Sequence, residues 1–503
     1  MIAEPATAGH LDPFQDPPHL TREDDTATVD VLKEACGVFG VYAPGREVAR
    51  ISFYGLYALQ HRGQESAGIV TSDGQRLHVH TGMGLVAQVF EEAHIAGLPG
   101  HIAIGHTRYS TTGSSRLVNA QPILVDIPEG ELALAHNGNL VNAAELRERL
   151  EEQGEHFVSS TDSEVIARLI ANAPARTWEE RLRWALPRLQ GAYSLVMLTP
   201  DTLMAVRDPM GNRPLCIGRL GADWVVASES CALDHIGAEL VREVAPGEAV
   251  LIDADGLRAA QVVPSNREAF CIFEHIYFAG VDSIIGGQRL YPVRMRMGAE
   301  LAREHPVDAD VVIGVPDSAT AAAIGYSQAS GIPYAEGLIK NRYVNRTFIK
   351  PDQASREAAV QMKLNAIGEL LAGKRVVVVD DSIVRGTTTP PVVSLVRRAG
   401  ATQVHVRICA PPIKHPCFFG VDMASRAELL AASKTVEEIR LHIGADSLGY
   451  LSLEGLIRAT ERPGEGFCTA CFTGDYPIPV QLELDKLSLE RSADEPIPLV
   501  NRR

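Results

Sequence analysis

Three features are missing from this sequence, and each absence excludes a class of protein. No apolar run is long enough to cross a bilayer, which excludes a helical membrane protein. The first residues contain neither a basic start nor an apolar core, which excludes a secretory signal peptide. Cysteine is sparse, with eight among 503 residues, unlike the disulfide frameworks of small secreted domains. We therefore expect a cytoplasmic protein whose cysteines serve thiol chemistry or metal binding.

Basic residues are also fewer than acidic residues. The formal net charge is -16, so the chain is a poor general binder of nucleic acid or anionic membranes, although a local basic pocket can still hold a phosphorylated substrate. Hydrophobic residues make up 46% of the chain and charged residues 22%. These fractions are typical of globular proteins, and the length is sufficient for two domains with separate cores.

Residues 1–35 have a different composition from the rest of the chain. They contain four prolines and the acidic cluster at 23–25, which is typical of a disordered segment. Two interpretations are open: a ragged N-terminal extension, or a propeptide that ends at Ala35 and is removed to expose Cys36.

The first half of the chain predicts one domain, from residue 36 to about 265, in which sheets pack between helices. Cys36 begins an apolar, β-prone run, and a later strand is predicted to end in a turn at Asn137 and Gly138. Thr161 and Glu164 stand at the spacing of a capping box, so a helix is predicted to begin there. Each of these residues has an ordinary structural explanation when it is considered alone.

Five strings in this half, taken together, resemble the glutaminase domain of the class II amidotransferases, which use an N-terminal nucleophile. They occur in the order known for that family, and five spaced matches are unlikely to arise by chance. The strings are CGVFG from Cys36, HRGQESAGI from His61, GHTRYST from Gly105, HNGNL from His136 and STDSE from Ser160.

This resemblance implies a role for each of five residues. Removal of residues 1–35 would leave Cys36 with a free α-amino group, whose ordinary pKa of about 7.8 suits it to accept the thiol proton. Asn137 and Gly138 are then expected to form the oxyanion hole. Arg108 is expected to bind the carboxylate of glutamine, and Asp162 its ammonium group.

The second half contains a strand, a loop and a helix in the order typical of a phosphate site. A buried, parallel strand is predicted at 376–379, a loop at 381–389, and a helix that begins at Pro390 and Pro391. The loop supplies a glycine, three threonine hydroxyls and the free N–H groups of the helix, but no Walker A lysine. Asp380 and Asp381 suit ribose hydroxyls or Mg²⁺, or else they simply end the strand.

Two further segments support a polyanion site. Residues 311–320 are predicted to form a strand followed by a loop. Residues 338–351 contain four basic residues and no acid, which indicates either a flexible flap over a polyanion or a solvated face. The four basic residues are Lys340, Arg342, Arg346 and Lys350.

These segments resemble the type I phosphoribosyltransferases, whose substrate is phosphoribosylpyrophosphate (PRPP). The resemblance implies that Asp380 and Asp381 bind the ribose hydroxyls and, with Ser318, a magnesium ion. It also implies that Lys340 and Arg342 bind PRPP from the flap. The residues expected to hold the 5-phosphate are Arg385, Gly386, Thr387, Thr388 and Thr389.

Four of the cysteines form a candidate metal centre. Cys468 and Cys471 form a C-x-x-C pair, and Cys271 and Cys417 could complete a four-thiolate set for zinc or an iron–sulfur cluster. Their positions resemble those of an iron–sulfur branch of enzymes that combine these two domains, which implies a structural [4Fe-4S] cluster. The alternative is that some are buried free thiols. Three other cysteines lie outside the matched positions and are expected to be ordinary core residues: Cys216, Cys231 and Cys409.

The two resemblances together imply an α/β protein with two domains. These are an αββα N-terminal-nucleophile glutaminase and, at 266–475, a phosphoribosyltransferase with a parallel sheet, followed by a polar tail at 476–503. The implied reaction converts glutamine and PRPP into phosphoribosylamine, glutamate and pyrophosphate, at the start of purine synthesis. Purine nucleotide inhibitors and a homotetramer are also implied. The alternatives are an amidotransferase with another acceptor, a PRPP-sensing regulator and a plain glutaminase.

Overall fold

The structure is a computed structural model that describes residues 36–109, 113–341, 364–423, 426–462, 466–480 and 489. The segments predicted as the propeptide and as most of the basic flap, including Arg342, lie outside these ranges. Within them, no helix is both long and apolar enough to cross a membrane.

The first half of the chain forms two antiparallel sheets. One has seven strands in the order β11-β9-β10-β1-β4-β2-β3, and the other has six in the order β13-β12-β8-β7-β6-β5. The strands are β1 (Gly37–Tyr42), β2 (Ser66–Ser72), β3 (Leu77–Met83), β4 (Ile102–Arg108), β5 (Ile123–Ile127), β6 (Gly130–Leu140), β7 (Gly191–Leu198), β8 (Leu203–Arg207), β9 (Cys216–Leu220), β10 (Asp223–Ala227), β11 (Glu239–Glu243), β12 (Glu248–Asp253) and β13 (Gly256–Gln261).

Seven helices cover the outer faces of these sheets. One core lies between the sheets, and two others lie between each sheet and its helices, which gives four layers in the order αββα. The helices are α1 (Val48–Ala58), α2 (Val86–Val89), α3 (Glu92–Ala96), α4 (Ala143–Glu152), α5 (Asp162–Ala171), α6 (Trp178–Ala185) and α7 (Ser230–Ile236), with 3-10 turns at Leu117–Asn119 and Leu186–Arg188.

The predicted turn at Asn137 and Gly138 is wrong. Both residues lie inside β6, where they pair with Ser194 and Tyr193 of β7. Gly138 is required for a different reason: its φ is +153°, and a Cβ atom there would lie 2.0 Å from the carbonyl oxygen of Ala192. The Asn-Gly signal therefore reports a close approach of two backbones within a strand.

The second half is built on a four-stranded parallel sheet in the order β17-β20-β21-β22, as predicted for residues 376–379. Short strand pairs surround it. The strands are β14 (Phe270–Cys271), β15 (Ile284–Ile285), β16 (Gln288–Arg289), β17 (Val311–Gly314), β18 (Leu338–Lys340), β19 (Leu364–Ala366), β20 (Arg375–Asp380), β21 (Gln403–Ile408), β22 (Ser447–Tyr450) and β23 (Phe467–Cys468).

Helices pack against this sheet and share one large core with it. The segment that enters this half contains one turn of π-helix, a conformation often found at functional sites. The helices are α8 (Leu290–Glu304), α9 (Thr320–Ser330), α10 (Gly368–Leu371), α11 (Thr389–Arg398), α12 (Leu430–Ser433), α13 (Val436–Ile443), α14 (Leu453–Thr460) and α15 (Ala470–Thr473), with the π-helix at Glu274–Phe278 and a 3-10 turn at Arg426–Glu428.

The predicted polar tail has apolar anchor points. Tyr476 lies against the rings of Phe418 and Phe419, at centroid distances of 5.2 and 6.3 Å. Leu489 is buried in the core between the six-stranded sheet and its helices, in the first half of the chain. The C-terminal segment therefore returns to the domain that begins at Cys36.

Candidate active sites

Cys36 lies immediately before β1 and is almost fully buried. Its Sγ donates to the carbonyl of Tyr109 at 3.3 Å, and the N–H of Tyr109 lies 3.5 Å from the same sulfur. Burial raises the pKa of the Cys36 thiol, although the Tyr109 hydrogen bond and the charge of Arg108 act in the opposite direction. The thiol is therefore protonated at neutral pH and needs a base before it can act as a nucleophile.

A small cleft opens beside this thiol and brings together residues from distant strings of the sequence. Four of the five residues predicted for glutamine binding and catalysis line it. The lining residues are Cys36, Arg108, Tyr109, Gln121, His136, Gly138, Thr161, Asp162 and Ser163.

The fifth predicted residue, Asn137, adjoins Gly138 on β6. Its side chain is fully buried, and neither Oδ1 nor Nδ2 has a hydrogen-bond partner within the described parts of the chain. Because a buried amide without partners costs about 1–3 kcal/mol, such groups are expected to bind a ligand atom. This state agrees with the predicted role of the Asn137 amide as a donor to an oxyanion.

Asp162 stands in the first turn of α5, where the Thr161 side chain caps the helix as predicted. Asp162 Oδ2 accepts the Leu140 N–H at 3.0 Å, and Oδ1 lies 3.7 Å from His136 Nδ1. Burial favours a higher pKa, but His136, the Leu140 N–H and Arg108 outweigh it and hold the pKa of Asp162 below its ordinary value. The side chain is therefore a buried carboxylate that can pair with an ammonium group.

Arg108 also lines the cleft. Its side chain is 2% exposed, donates to the carbonyl of Ser114 at 3.2 Å, and lies 3.8 Å from Glu65. A guanidinium in this position suits the carboxylate of an amino acid. The cleft thus has opposite charges available for the two ends of glutamine.

The second candidate site lies at the carboxyl end of β17 and β20, where parallel sheets bind ligands. Ser318, in the loop after β17, donates to Asp381 Oδ2 at 2.5 Å, and Ser382 donates to Oδ1 at 2.7 Å. Asp380 Oδ1 accepts the Asp381 N–H at 2.9 Å. Desolvation raises the pKa of Asp381, and the two serine hydroxyls and Arg294 act against this. Of the three predicted magnesium ligands, Ser318 and Asp381 are therefore in contact, and Asp380 is the adjacent residue of the chain.

The predicted phosphate loop continues from this acidic pair. Arg385 is held by Glu428, with Nε 2.7 Å from Oε2. Gly386 has φ +70°, and a Cβ atom there would lie 2.5 Å from Leu430, so the loop needs glycine at this position. The helix begins at Thr389 with proline in its first turn, as predicted.

The base of the predicted flap is also described. Lys340 ends β18, which pairs with β19, and its ammonium lies 2.8 Å from Asp317 in the loop after β17. The flap lysine is thus close to the loop of the predicted strand-and-loop segment at 311–320. The contribution of Arg342 stays a prediction, because this residue lies outside the described ranges.

The four predicted cluster cysteines come from three segments that meet. Cys271 and Cys468 are partners in the parallel pair of β14 and β23, and the carbonyl of Cys471 accepts the N–H groups of Lys414 and His415, just before Cys417. Burial raises the pKa of Cys271 to about 12 and that of Cys468 to about 11. Such thiols become thiolates when a metal supplies positive charge. The donor set fits a cluster held by four cysteines.

A different group, consisting of His61, Glu229 and Cys231, has the spacing of a single metal ion within the described residues. The carboxylate of Glu229 is already occupied, however. It accepts from Arg62, from Ser283 Oγ at 2.6 Å and from the Gly280 N–H at 2.8 Å. The positive charge of Arg62 at this position would repel a metal cation. We therefore assign His61, Glu229 and Cys231 to a buried ion-pair network.

Comparison with known proteins agrees with both sites. A family profile described as a glutamine amidotransferase domain matches residues 106–235. An amidophosphoribosyltransferase from Synechocystis sp. is 55% identical over 469 residues, which are 92% of this chain and 95% of the relative. The chain belongs to the amidophosphoribosyltransferase family. Its activity is accordingly glutamine-dependent amidophosphoribosyl transfer.

Solved structures from this family support the two-domain α/β fold. The chain matches a structure described as the allosteric regulatory enzyme of purine biosynthesis, with a TM-score of 0.85 and 49% identity, over 90% of this chain and 98% of the other. It also matches a glutamine PRPP amidotransferase from B. subtilis complexed with ADP and GMP, with a TM-score of 0.85, 48% identity and coverage of 90% and 100%. Membership of the amidophosphoribosyltransferases excludes the regulator and the plain glutaminase.

Sequence reasoning missed several residues of these sites in the amidophosphoribosyltransferase. His136 lines the cleft, and its Nδ1 lies 3.2 Å from Ser163 Oγ. Three charged side chains are fully buried, and Glu274 forms ion pairs with both Arg62 and Arg213. His136 and Arg62 stand inside the matched strings, where their position could have marked them, whereas nothing in the sequence joins Arg213 to Glu274.

Proposed function

We propose that the chain carries out the whole coupled reaction, with glutamine hydrolysis at Cys36 and phosphoribosylamine synthesis at the loop after Asp380. The products are 5-phosphoribosylamine, glutamate and pyrophosphate, in the first committed step of purine synthesis. The main support is the cleft that brings together a nucleophilic thiol and two opposite charges, next to the buried Asn137 amide, which has no partner among the described residues.

The glutamine half-reaction starts with the thiol. After removal of residues 1–35, the α-amino group of Cys36 accepts the thiol proton, and the thiolate attacks the carboxamide carbon of glutamine. The Asn137 amide and the Gly138 N–H stabilise the oxyanion, while Arg108 and Asp162 hold the two charged ends of the substrate. Collapse of the intermediate releases ammonia and leaves a thioester, and water hydrolyses the thioester to glutamate.

The synthetic half-reaction takes place at the parallel sheet. Asp380 and Asp381 hold the ribose hydroxyls, and the loop from Arg385 to Thr389 holds the 5-phosphate. Ammonia then forms a bond to C1 as the bond from C1 to pyrophosphate breaks. The oxygen donors of Ser318, Asp380 and Asp381 would hold Mg²⁺, which neutralises charge on the pyrophosphate when it is bound. Lys340, with Arg342, is proposed to cover the substrate.

The experiment that tests this proposal separates the two half-reactions. Glutamate release from glutamine and pyrophosphate release from PRPP should be equal, and both should depend on the presence of PRPP and Mg²⁺. Cys36→Ala should abolish glutamine-dependent synthesis, because it removes the nucleophile, but should keep synthesis from added ammonium salts. Glutamine-dependent synthesis that survives in Cys36→Ala, or glutamate release indifferent to PRPP, would contradict the proposal.

Removal of residues 1–35 is part of this proposal. The raised pKa of the Cys36 thiol supports it, because the free α-amine is then the base that the thiol needs. An intact-mass spectrum of active protein should show a chain that starts at Cys36. Full activity of a chain that still carries residues 1–35 would contradict cleavage.

We further propose that Cys271, Cys417, Cys468 and Cys471 hold a structural [4Fe-4S] cluster. The convergence of the three segments supports it. Purified protein should contain four iron and four sulfide ions per chain, by the stoichiometry of that cluster. Replacement of Cys471 by serine should remove both ions, and stoichiometric zinc instead of iron would overturn the assignment.

We also propose that the regulation and the oligomeric assembly of this enzyme are those expected for its family. The complex of the B. subtilis enzyme with ADP and GMP supports feedback inhibition by purine nucleotides. A homotetramer, a cytoplasmic location and the domain boundaries at 265, 266 and 475 also stay proposals. Analytical ultracentrifugation at several protein concentrations tests the tetramer.

A further inference from the structure

Glu274 is a buried carboxylate at the junction between the two halves of the chain. It begins the π-helix Glu274–Phe278, and its side chain is fully buried. Arg62 binds it with both terminal nitrogens: Nη2 lies 2.7 Å from Oε1 and Nη1 lies 3.0 Å from Oε2. Arg213 Nη1 lies 3.2 Å from Oε1. One carboxylate from the second half therefore binds two arginines of the first half.

Arg62 connects this carboxylate to the nucleophile. Its Nε donates to the backbone carbonyl of Cys36 at 3.1 Å, and its Nη1 also pairs with Glu229. Because the guanidinium is planar and rigid, the bidentate pair with Glu274 fixes the direction in which Nε points. That direction sets the position of the Cys36 backbone, from which both the thiol and the α-amino group extend.

Arg213 connects the same carboxylate to the oxyanion strand. Its Nε and Nη2 donate to the carbonyl of Phe419 at 3.1 and 2.9 Å. The next residue, Gly420, has φ +101° and packs on Gly138 so closely that a Cβ atom on Gly420 would lie 2.9 Å from the carbonyl carbon of Gly138. The backbone that Arg213 holds therefore supports the strand that carries Gly138.

The network is balanced in charge and closed to water. Arg62 and Arg213 face Glu229 and Glu274, and all four side chains are buried. Burial lowers the pKa of Arg62, but the charges of Glu274 and Glu229 outweigh it and keep the pKa above its ordinary value. When one member of a buried network is neutralised, the remaining charges lose their compensation and the geometry relaxes.

We propose that Glu274 is a positioning residue for glutamine hydrolysis, in which one carboxylate of the second half aligns both Cys36 and the oxyanion strand. The glutaminase site is then complete only when the two halves are docked. This inference rests on the proposed roles of Cys36 and Gly138. Substitution of Glu274 is therefore expected to lower glutamine-dependent synthesis and to leave ammonia-dependent synthesis largely unchanged.

The direct test is Glu274→Gln in the full, cluster-loaded enzyme. The amide keeps the shape of the side chain but removes its charge. We expect kcat for glutamine-dependent synthesis to fall roughly 10–100-fold, because small displacements of reacting groups have effects of this size. Ammonia-dependent synthesis should stay within a factor of about two, and Glu274→Asp, which keeps the charge, should recover part of the glutamine-dependent rate.

Glu304→Gln is the matched control. Glu304 also accepts hydrogen bonds inside the second half, from the N–H and Oγ of Ser452 at 2.7 and 2.6 Å. Its loss should leave the ratio of glutamine-dependent to ammonia-dependent activity unchanged. An equal loss of both activities in Glu274→Gln, or no loss, would overturn the role of Glu274.

A second variant keeps the inference testable if Glu274→Gln does not fold. Gly420→Ala leaves every charge in place but adds a methyl group against Gly138 and strains the backbone at φ +101°, so it should lower glutamine-dependent synthesis more than ammonia-dependent synthesis. An unchanged ratio in this variant would overturn the link through Phe419. Survival of glutamine-dependent synthesis in Cys36→Ala would instead show that the assignment of the nucleophile is wrong, which separates the two failures.

Discussion

At the scale of single residues, the side chain of Asn137 is the strongest structural indication of a ligand-binding site. It is fully buried between two sheets, where a polar group normally finds a partner, and its amide has none among the described residues. The neighbouring Gly138 approaches Ala192 too closely to tolerate a side chain. The strand therefore carries an unfavourable amide whose partner, by the proposed mechanism, is the oxyanion.

Asn137→Ala should lower kcat for glutamine hydrolysis by roughly 10²–10³, the usual effect of losing one oxyanion donor. KM for glutamine should change little, because Arg108 and Asp162, the proposed binding residues, are unaltered. Steady-state glutamate release measures both constants. The exposed Asn172, replaced by alanine, serves as the control, and a higher KM with unchanged kcat would show that Asn137 only binds glutamine.

At the scale of elements, the C-terminal segment connects the two halves. Leu489 is buried in the core of the first half, and its carbonyl accepts from Arg147 Nη1 at 3.2 Å. The same nitrogen donates to the carbonyl of Ser159 at 3.2 Å, just before the loop that leads to Asp162. Through Arg147, Leu489 is thus connected to the segment that leads to Asp162, the residue proposed to bind the ammonium group of glutamine.

Leu489→Ala should lower the free energy of unfolding by about 2 kcal/mol, at the low end of the range for a buried leucine. Urea denaturation, followed by fluorescence, measures this change. Leu441→Ala is the control, since Leu441 is 63% exposed. Equal stability of Leu489→Ala and the unaltered enzyme would show that this anchor contributes nothing to stability.

At the scale of the whole molecule, we expect the buried ion pairs to make the junction between the halves sensitive to acid. Burial would raise the pKa of Glu229, but His61, Arg62 and the Ser283 hydroxyl outweigh it and hold the pKa well below its ordinary value. A carboxyl group whose pKa is lowered on folding stabilises the protein above its unfolded pKa of about 4.3. That contribution is lost as the pH falls below this value.

Glu229→Gln should therefore be less stable at pH 7, by roughly 3–5 kcal/mol for a broken buried pair. Its stability should also change less than that of the unaltered enzyme between about pH 5 and pH 3, because the titrating group is gone. Urea denaturation over this pH range gives both quantities. Parallel stability curves for the two proteins would show that Glu229 is not responsible for the acid sensitivity.

The sequence alone determined the fold class, the family and the residues proposed at both reaction centres. It could do so because each proposed role belongs to a short string whose chemistry is local: a thiol before a strand, an Asn-Gly pair, or two aspartates before a glycine and three threonines. The strands and helices around these strings also follow from local patterns, such as the buried run 376–379 and the prolines that begin α11.

Only the tertiary structure decided how these strings depend on one another. Arg62 and Glu274 are 212 residues apart in sequence, and no local pattern relates two residues at that distance. It also showed that Asn137 and Gly138 form a strand rather than a turn, and that the tail returns to the first domain. Propensity acts over a few residues, whereas burial and charge pairing act between segments that meet only when the chain has folded.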